Sequence, residues 1–267
     1  MTFETFVKLG IAGTIITFIG TMLTLFFRDY FLANYFEKRK YAKALDDVFK
    51  KYKDPITLSA LELSSRLAEI IEHYPTVYLT SETLKLNHTN FTINTIDDNH
   101  FKKHKFYSTV YRFNSFLGWL ELYRQEITFL NGSNSLTNIK IENCLSNIRS
   151  VLADGQLNEN EDWIAWTDFL IFREEQREIG ENMILFSATP KNIIGYSKFK
   201  EQINDYVENG TNEWLSISVN FFIDLKLKKD FRLDRYYLLI QFLKEFLLTL
   251  GVDQNNEVIK KINRLKK

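Results

Sequence analysis

Glu121, Arg124 and Glu126 lie within six residues of one another inside an apolar, aromatic stretch running from Phe106 to Leu130. A second polar cluster, Arg173, Glu175, Gln176, Arg177 and Glu181, crowds a later stretch. A carboxylate among apolar neighbours can carry a raised pKa suited to acid–base work, and arginines fork onto phosphate or carboxylate. The same groups can instead neutralise one another across two helices, because charge on apolar helices must be paired. That cross-helix network is the simpler expectation, and the spacing alone leaves both readings open.

Weaker constellations surround these two. Arg66 and His73, with six residues between them, satisfy the loose spacing of HEPN ribonucleases, in which arginine and histidine would polarise a ribose hydroxyl and the scissile phosphate and a dimer partner would supply the second copy of the motif. A surface histidine at a helix end fits the same residues. Asp97, Asp98, His100 and His104 place two histidines at a spacing able to share a metal, but Lys102, Lys103 and Lys105 beside them disfavour a cation, so no metal and no cofactor is expected. Neither a P-loop, a dinucleotide glycine pattern, a zinc ribbon nor a nucleophile elbow occurs. The basic tail, Lys260, Lys261, Arg264, Lys266 and Lys267, suits anionic lipid or a helix C-terminus equally.

The elements that must position these residues are helices. Apolar periodicity is helical almost throughout, punctuated by three prolines and ten glycines, and predicts an all-α chain. Helices are expected up to Asp54-Pro55, over Leu58 to Tyr74, and over Phe106 to Leu130, this last apolar on most faces and therefore central. Leu136 to Leu152, Phe169 to Phe186, Tyr196 to Val207, Trp214 to Lys226, Arg232 to Leu250 and Val258 to Leu265 complete the set. Thr76 to Lys105 reads as a loop or a small hairpin. A composition with 45% hydrophobic and 15% aromatic residues describes a chain that folds, and zero net charge argues against a nucleic-acid partner.

Nineteen uncharged residues, Leu9 to Phe27, would span roughly 28 Å as a helix, about the hydrocarbon thickness of a bilayer. The run is too long for a signal peptide and lacks a small-residue cleavage site after it. Arg28, Lys38, Arg39, Lys40, Lys43, Lys50, Lys51 and Lys53 follow the span and only Lys8 precedes it, which places the C-terminal side in the cytoplasm. The single cysteine, Cys144, agrees with a reducing compartment, and sequons at Asn87, Asn90, Asn131 and Asn209 would go unused there. Gly13, Thr17, Gly20 and Thr24 form one stripe on which anchors could pack as an oligomer. The expected division is an anchor over 1–27, a juxtamembrane helix over 28–53 and a cytosolic helical domain over 54–267, held close to the membrane without a flexible tether.

Tyr52-Lys53-Asp54-Pro55, then Leu63, Arg66 and Leu67, then Gly118-Trp119-x-Glu121-x-x-Arg124-x-Glu126-x-x-Phe129-Leu130, then Phe172-Arg173-x-Glu175-Gln176-Arg177-x-Ile179-Gly180-Glu181 together resemble a widespread, uncharacterised set of bacterial membrane proteins. The likeness runs from the anchor to about residue 250, and Glu174 stands where those relatives commonly have glycine. The resemblance implies bacterial origin, an inner-membrane location and an anchor-plus-domain plan, and names no reaction. The expectation is a membrane-anchored binding or scaffold protein for a protein or small-molecule partner. The alternatives are a membrane-bound HEPN-type ribonuclease using Arg66 and His73, or a membrane-perturbing effector of anti-phage defence.

Overall fold

The computed structural model describes residues 3–73, 79, 100–128, 136–154, 167, 169–187, 191–225 and 230–265. It is all-α, with one long N-terminal apolar helix leading into a helical domain. Helix α1 (Phe3–Phe26) passes through a π-helical turn (Phe27–Leu32) into α2 (Ala33–His73) without a break, since the residues on both sides of the turn keep helical dihedrals. Its apolar part is long enough to cross a membrane. The π turn comes where that part ends, and its rings stack four residues apart, Phe26 on Tyr30 and Phe27 on Phe31. Aromatic side chains at this level suit the membrane–water boundary.

The helix end expected at Asp54-Pro55 is absent: α2 continues through Pro55 to His73. Proline forfeits one backbone hydrogen bond, but Tyr52, Ile56, Ser59, Ala60 and Leu63 on either side are buried against the domain, and that packing outweighs the local loss. The Thr57 hydroxyl donates to the Lys53 carbonyl in the same turn. One continuous helix therefore carries the apolar segment, the charged stretch after it and a core element of the domain. From Phe27 to Tyr52 it climbs about 38 Å at 1.5 Å per residue, so the apolar part and the domain are joined by continuous helix, without a flexible tether among the described residues.

The domain is built on α3 (His100–Thr128), which packs against α2 along its length. Its burial on several faces fits its lack of a polar side: Phe106, Val110, Phe113, Phe116, Leu120 and Leu122 are all in the core. Around the α2–α3 pair lie α4 (Leu136–Ala153), α5 (Arg173–Asn182), a two-residue antiparallel ribbon (β1, Ile184–Leu185; β2, Asn192–Ile193), α6 (Tyr196–Asn209), α7 (Leu215–Phe222), α8 (Phe231–Thr249) and α9 (Glu257–Arg264). α5 and α7 are shorter than the apolar pattern predicts. After Asn182 the chain turns at Met183 into β1, and after Phe222 it leaves the helix at the extended Ile223. Most of Thr76 to Lys105 falls outside the described residues, although α3 already begins at His100.

Buried arginines fasten the layers. Arg232 pairs with Asp230 at 2.7 Å and donates to the carbonyls of Asn220, Ile223 and Asp224, closing the end of α7. Arg235 donates to the Val151 and Asp154 carbonyls and so caps α4 from α8. The basic tail helix α9 buries Ile259 and Ile262, and Lys261 lies 3.5 Å from Glu72 at the far end of α2. That position is remote from the membrane-spanning end.

Arg66 and Glu69 of α2 and Lys105 and Thr109 of α3 form one polar joint. Arg66 donates to the Thr109 hydroxyl at 2.6 Å and pairs with Glu69 at 2.7 Å, and Lys105 reaches the other Glu69 oxygen at 2.7 Å. Burial pushes the Glu69 carboxyl up, but the bonds from Lys105 and Arg66 prevail and bring it from 4.5 to about 2. A depressed folded-state pKa gives stability that is present above the unfolded value and lost as pH falls through the folded one. The melting temperature is expected to drop progressively between pH 4.5 and about 2, and Glu69→Gln to flatten that decline. An identical acid profile in the variant would remove Glu69 as its source.

Candidate functional site

The two polar clusters meet because two glycines let their helices touch. A methyl group on Gly180 of α5 would sit 2.6 Å from Glu121 Cβ and 2.9 Å from the Leu117 carbonyl oxygen of α3. One on Gly118 would sit 2.8 Å from Met183 Cβ. Each of the two recognisable motifs thus carries the glycine that admits the other helix, and the polar residues beside each glycine are brought to one place.

Local pairs take the place of part of the cross-helix ion network expected there, while Arg124 of α3 and Glu181 of α5 still attract one another. Glu121, nearly buried, is satisfied on its own helix: Arg124 forks onto it through Nε at 2.6 Å and a terminal nitrogen at 2.5 Å, and Gln125 donates to it at 3.0 Å. Neighbours one turn apart pair at the smallest entropic cost, which explains the local choice. The bond with Glu121 raises the Arg124 pKa further, with Glu181 adding a weaker attraction. Glu126 faces away, towards the stalk, where it pairs with Lys51 at 2.7 Å and accepts from the Tyr52 hydroxyl at 2.6 Å. Glu175 accepts from the Phe172 amide at 2.7 Å and caps its own helix.

What remains is a cleft of about 70 Å³ between α3, α4 and α5. Leu117, Leu120 and Ile148 give it an apolar floor, and Arg124, Arg149, Arg173, Arg177, Glu121 and Gln176 supply its polar walls. Four guanidiniums thus face one carboxylate that is already engaged. Arg173 donates to the Ser150 hydroxyl at 3.2 Å. Among the described residues, neither Arg149 nor Arg177 has a carboxylate within 4 Å. Burial lowers the Arg149 pKa, and although Glu142 and, more weakly, Glu121 oppose this, the nearby charges of Arg124 and Arg177 lower it too. Those three cations repel one another in a partly desolvated place. Arg173, Gln176 and Arg177 also belong to the first turns of α5, where Glu174 and Glu175 offset the positive dipole end.

Arg149 escapes a reading based on clusters, because it stands alone on a helix whose apolar stripe is its conspicuous feature. The signal was its position beside Ile148, where a charge on the inward face needs a reason.

The other sequence candidates lie elsewhere. Arg66 is buried in the joint with Glu69 and Thr109, whereas His73 is exposed at the end of α2 beside Glu72 at 3.5 Å. The two side chains occupy different environments, an arrangement that offers a shared phosphate no common cleft. His104 contacts the Tyr196 hydroxyl through Nδ1 at 3.2 Å, while Asp97 and Asp98 lie outside the described residues, as does the His100 side chain. In the anchor, Thr17 and Thr24 donate back to the Gly13 and Gly20 carbonyls at 2.8 and 2.7 Å, and both glycines face open space. No protein-family model, curated protein or solved structure matches this chain.

Proposed function

We propose that this chain is a single-pass protein of the bacterial inner membrane whose cytoplasmic domain binds a small anionic ligand in the arginine cleft. The observation that carries the reading is Arg149 and Arg177 lining a cleft with no carboxylate within 4 Å among the described residues. Concentrated, partly desolvated guanidiniums gain from an anion what they lack from the protein. The bases that follow the span support a cytoplasmic domain by the positive-inside rule. Self-association of anchors belongs to the same reading: the threonine hydroxyls on the Gly13–Thr24 stripe are satisfied within their own helix, leaving a low ridge for a second helix to approach.

A ligand that binds only the folded state raises stability by about 2.7 kcal/mol at a hundred times its Kd. The full chain in detergent micelles is expected to melt several degrees higher in phosphate, citrate or acetate than in chloride of equal ionic strength. At least one of the three must do so. Unchanged melting in all of them would overturn the reading.

A further inference from the structure

We infer that the membrane contact of this chain runs on past the apolar span, with Tyr30 to Phe36 seated among lipid headgroups and Lys38, Arg39, Lys40 and Lys43 bound to the phosphates of anionic lipids. The inference rests on the reading of α1 as a membrane span and is independent of the arginine cleft. After Phe27 the helix does not turn polar. Tyr30, Phe31, Leu32, Tyr35 and Phe36 each keep 47–60% of their surface open among the described residues. The only charges between Leu9 and Phe36 are Arg28 and Asp29, and these pair with one another at 2.8 Å. A pair neutralised on neighbouring residues does not end an apolar face as a lone charge does.

Length agrees with this extension. The 28 residues from Leu9 to Phe36 rise about 42 Å at 1.5 Å each, against about 40–45 Å for a bilayer with its headgroup layers. Tyr30 and Tyr35, apolar in the ring and polar at the tip, suit the outer layer.

Unpaired charge begins where that length ends. Glu37 is the one acid among residues 37–43, and none of the four bases there has a carboxylate within 4 Å among the described residues. Further along the helix bases are paired, Lys50 with Asp46 at 2.6 Å and Lys51 with Glu126 at 2.7 Å. Phe36, Arg39, Lys40 and Lys43 follow at i, i+3, i+4 and i+7, so one ring and three cations share a helix face, and they line an open groove with Ala42 and Asp46. A ring at headgroup depth with cations in the next two turns complements an anionic lipid, acyl boundary first and phosphate beyond it. Each base close to such a surface contributes up to roughly fivefold in binding. A second copy of the chain is the poorer occupant, because two-fold pairing on this face sets Arg39, Lys40 and Lys43 against their own counterparts.

Two measurements on the full chain in vesicles test this, one of depth and one of lipid choice. Spin labels are placed by Phe18→Cys, Phe36→Cys and Asp47→Cys in a Cys144→Ser background, and their exposure to a water-soluble nickel complex is compared. The label at Phe36→Cys is expected to be at least about threefold less exposed than that at Asp47→Cys, about 16 Å farther along the helix. Spin-labelled phosphatidylglycerol is expected to associate with the native chain at least about fivefold more strongly than spin-labelled phosphatidylcholine. Lys38→Gln, Arg39→Gln, Lys40→Gln and Lys43→Gln together are expected to bring the two lipids to parity. Equal association in the native chain, or a preference that survives those four substitutions, would overturn the assignment to these bases. A label at Phe36→Cys as exposed as that at Asp47→Cys, or broadened by the label of another chain, would overturn the extended contact, with the span left standing if Phe18→Cys stays hidden. Exposure of Phe18→Cys as well would remove the span reading itself.

Discussion

The double variant Arg149→Gln, Arg177→Gln is expected to lose at least about a hundredfold in affinity for inorganic phosphate without losing stability. Hydrogen bonds to charged groups contribute about 1.5–3 kcal/mol each, so removing two amounts to roughly 3–6 kcal/mol, and every 1.4 kcal/mol is tenfold. Such a change in most proteins would leave buried carboxylates without partners. Here none lies within 4 Å of either guanidinium among the described residues, and neutralising Arg149 relieves its burial cost and its repulsion with Arg124 and Arg177 against the loss of longer-range attraction to Glu142 and Glu121. Calorimetric binding together with thermal melting of the variant checks both halves. Loss of folding would show the arginines to be structural members.

Gly180→Ala carries the second large effect. Its methyl group would need space already held by Glu121 Cβ at 2.6 Å and the Leu117 carbonyl at 2.9 Å, and a backbone oxygen cannot swing aside as a long side chain can. Helices α3 and α5 must part, at a cost of about 1–3 kcal/mol for overpacking a fitted site. Parting them also moves Arg177 relative to Arg124 and Glu121, so phosphate affinity should fall along with the melting temperature. Denaturant unfolding and phosphate titration of this variant give the two numbers. Native stability in Gly180→Ala would mean that the helices do not meet as closely as described.

These expectations show how far the sequence could be read. The long N-terminal apolar helix was legible because composition and length alone define it, and α3 was legible as a central helix because it has no polar face. Meeting of the two motifs was also within reach, since both were polar clusters on apolar helices. Their partners were not. A carboxylate such as Glu121 does not reveal whether it will choose an arginine one turn away or one on another helix, and the local pair won. That choice is what leaves Arg149 and Arg177 without a carboxylate within 4 Å among the described residues.

Pro55 misled for a related reason. Local backbone preference ends a helix there, but the residues flanking it are core residues, and their burial decides. The consequence reaches the function. A chain broken at Asp54 would hang the domain from the apolar helix by a joint, whereas an unbroken α2 joins that helix to the wall of the domain. The link to α3 passes through Lys51, Tyr52 and Glu126, within two turns of Glu121. Tyr52 also packs on Trp119 and Tyr123 of α3, so cleft and stalk share one rigid joint.

The most direct measurement is phosphorus NMR of orthophosphate titrated with the full chain in micelles, run in parallel on the native protein and on Arg149→Gln, Arg177→Gln. A saturable shift or broadening with the native chain that vanishes in the variant is the expected result. The same response from both proteins, or none from the native one, would contradict an anion site in the arginine cleft.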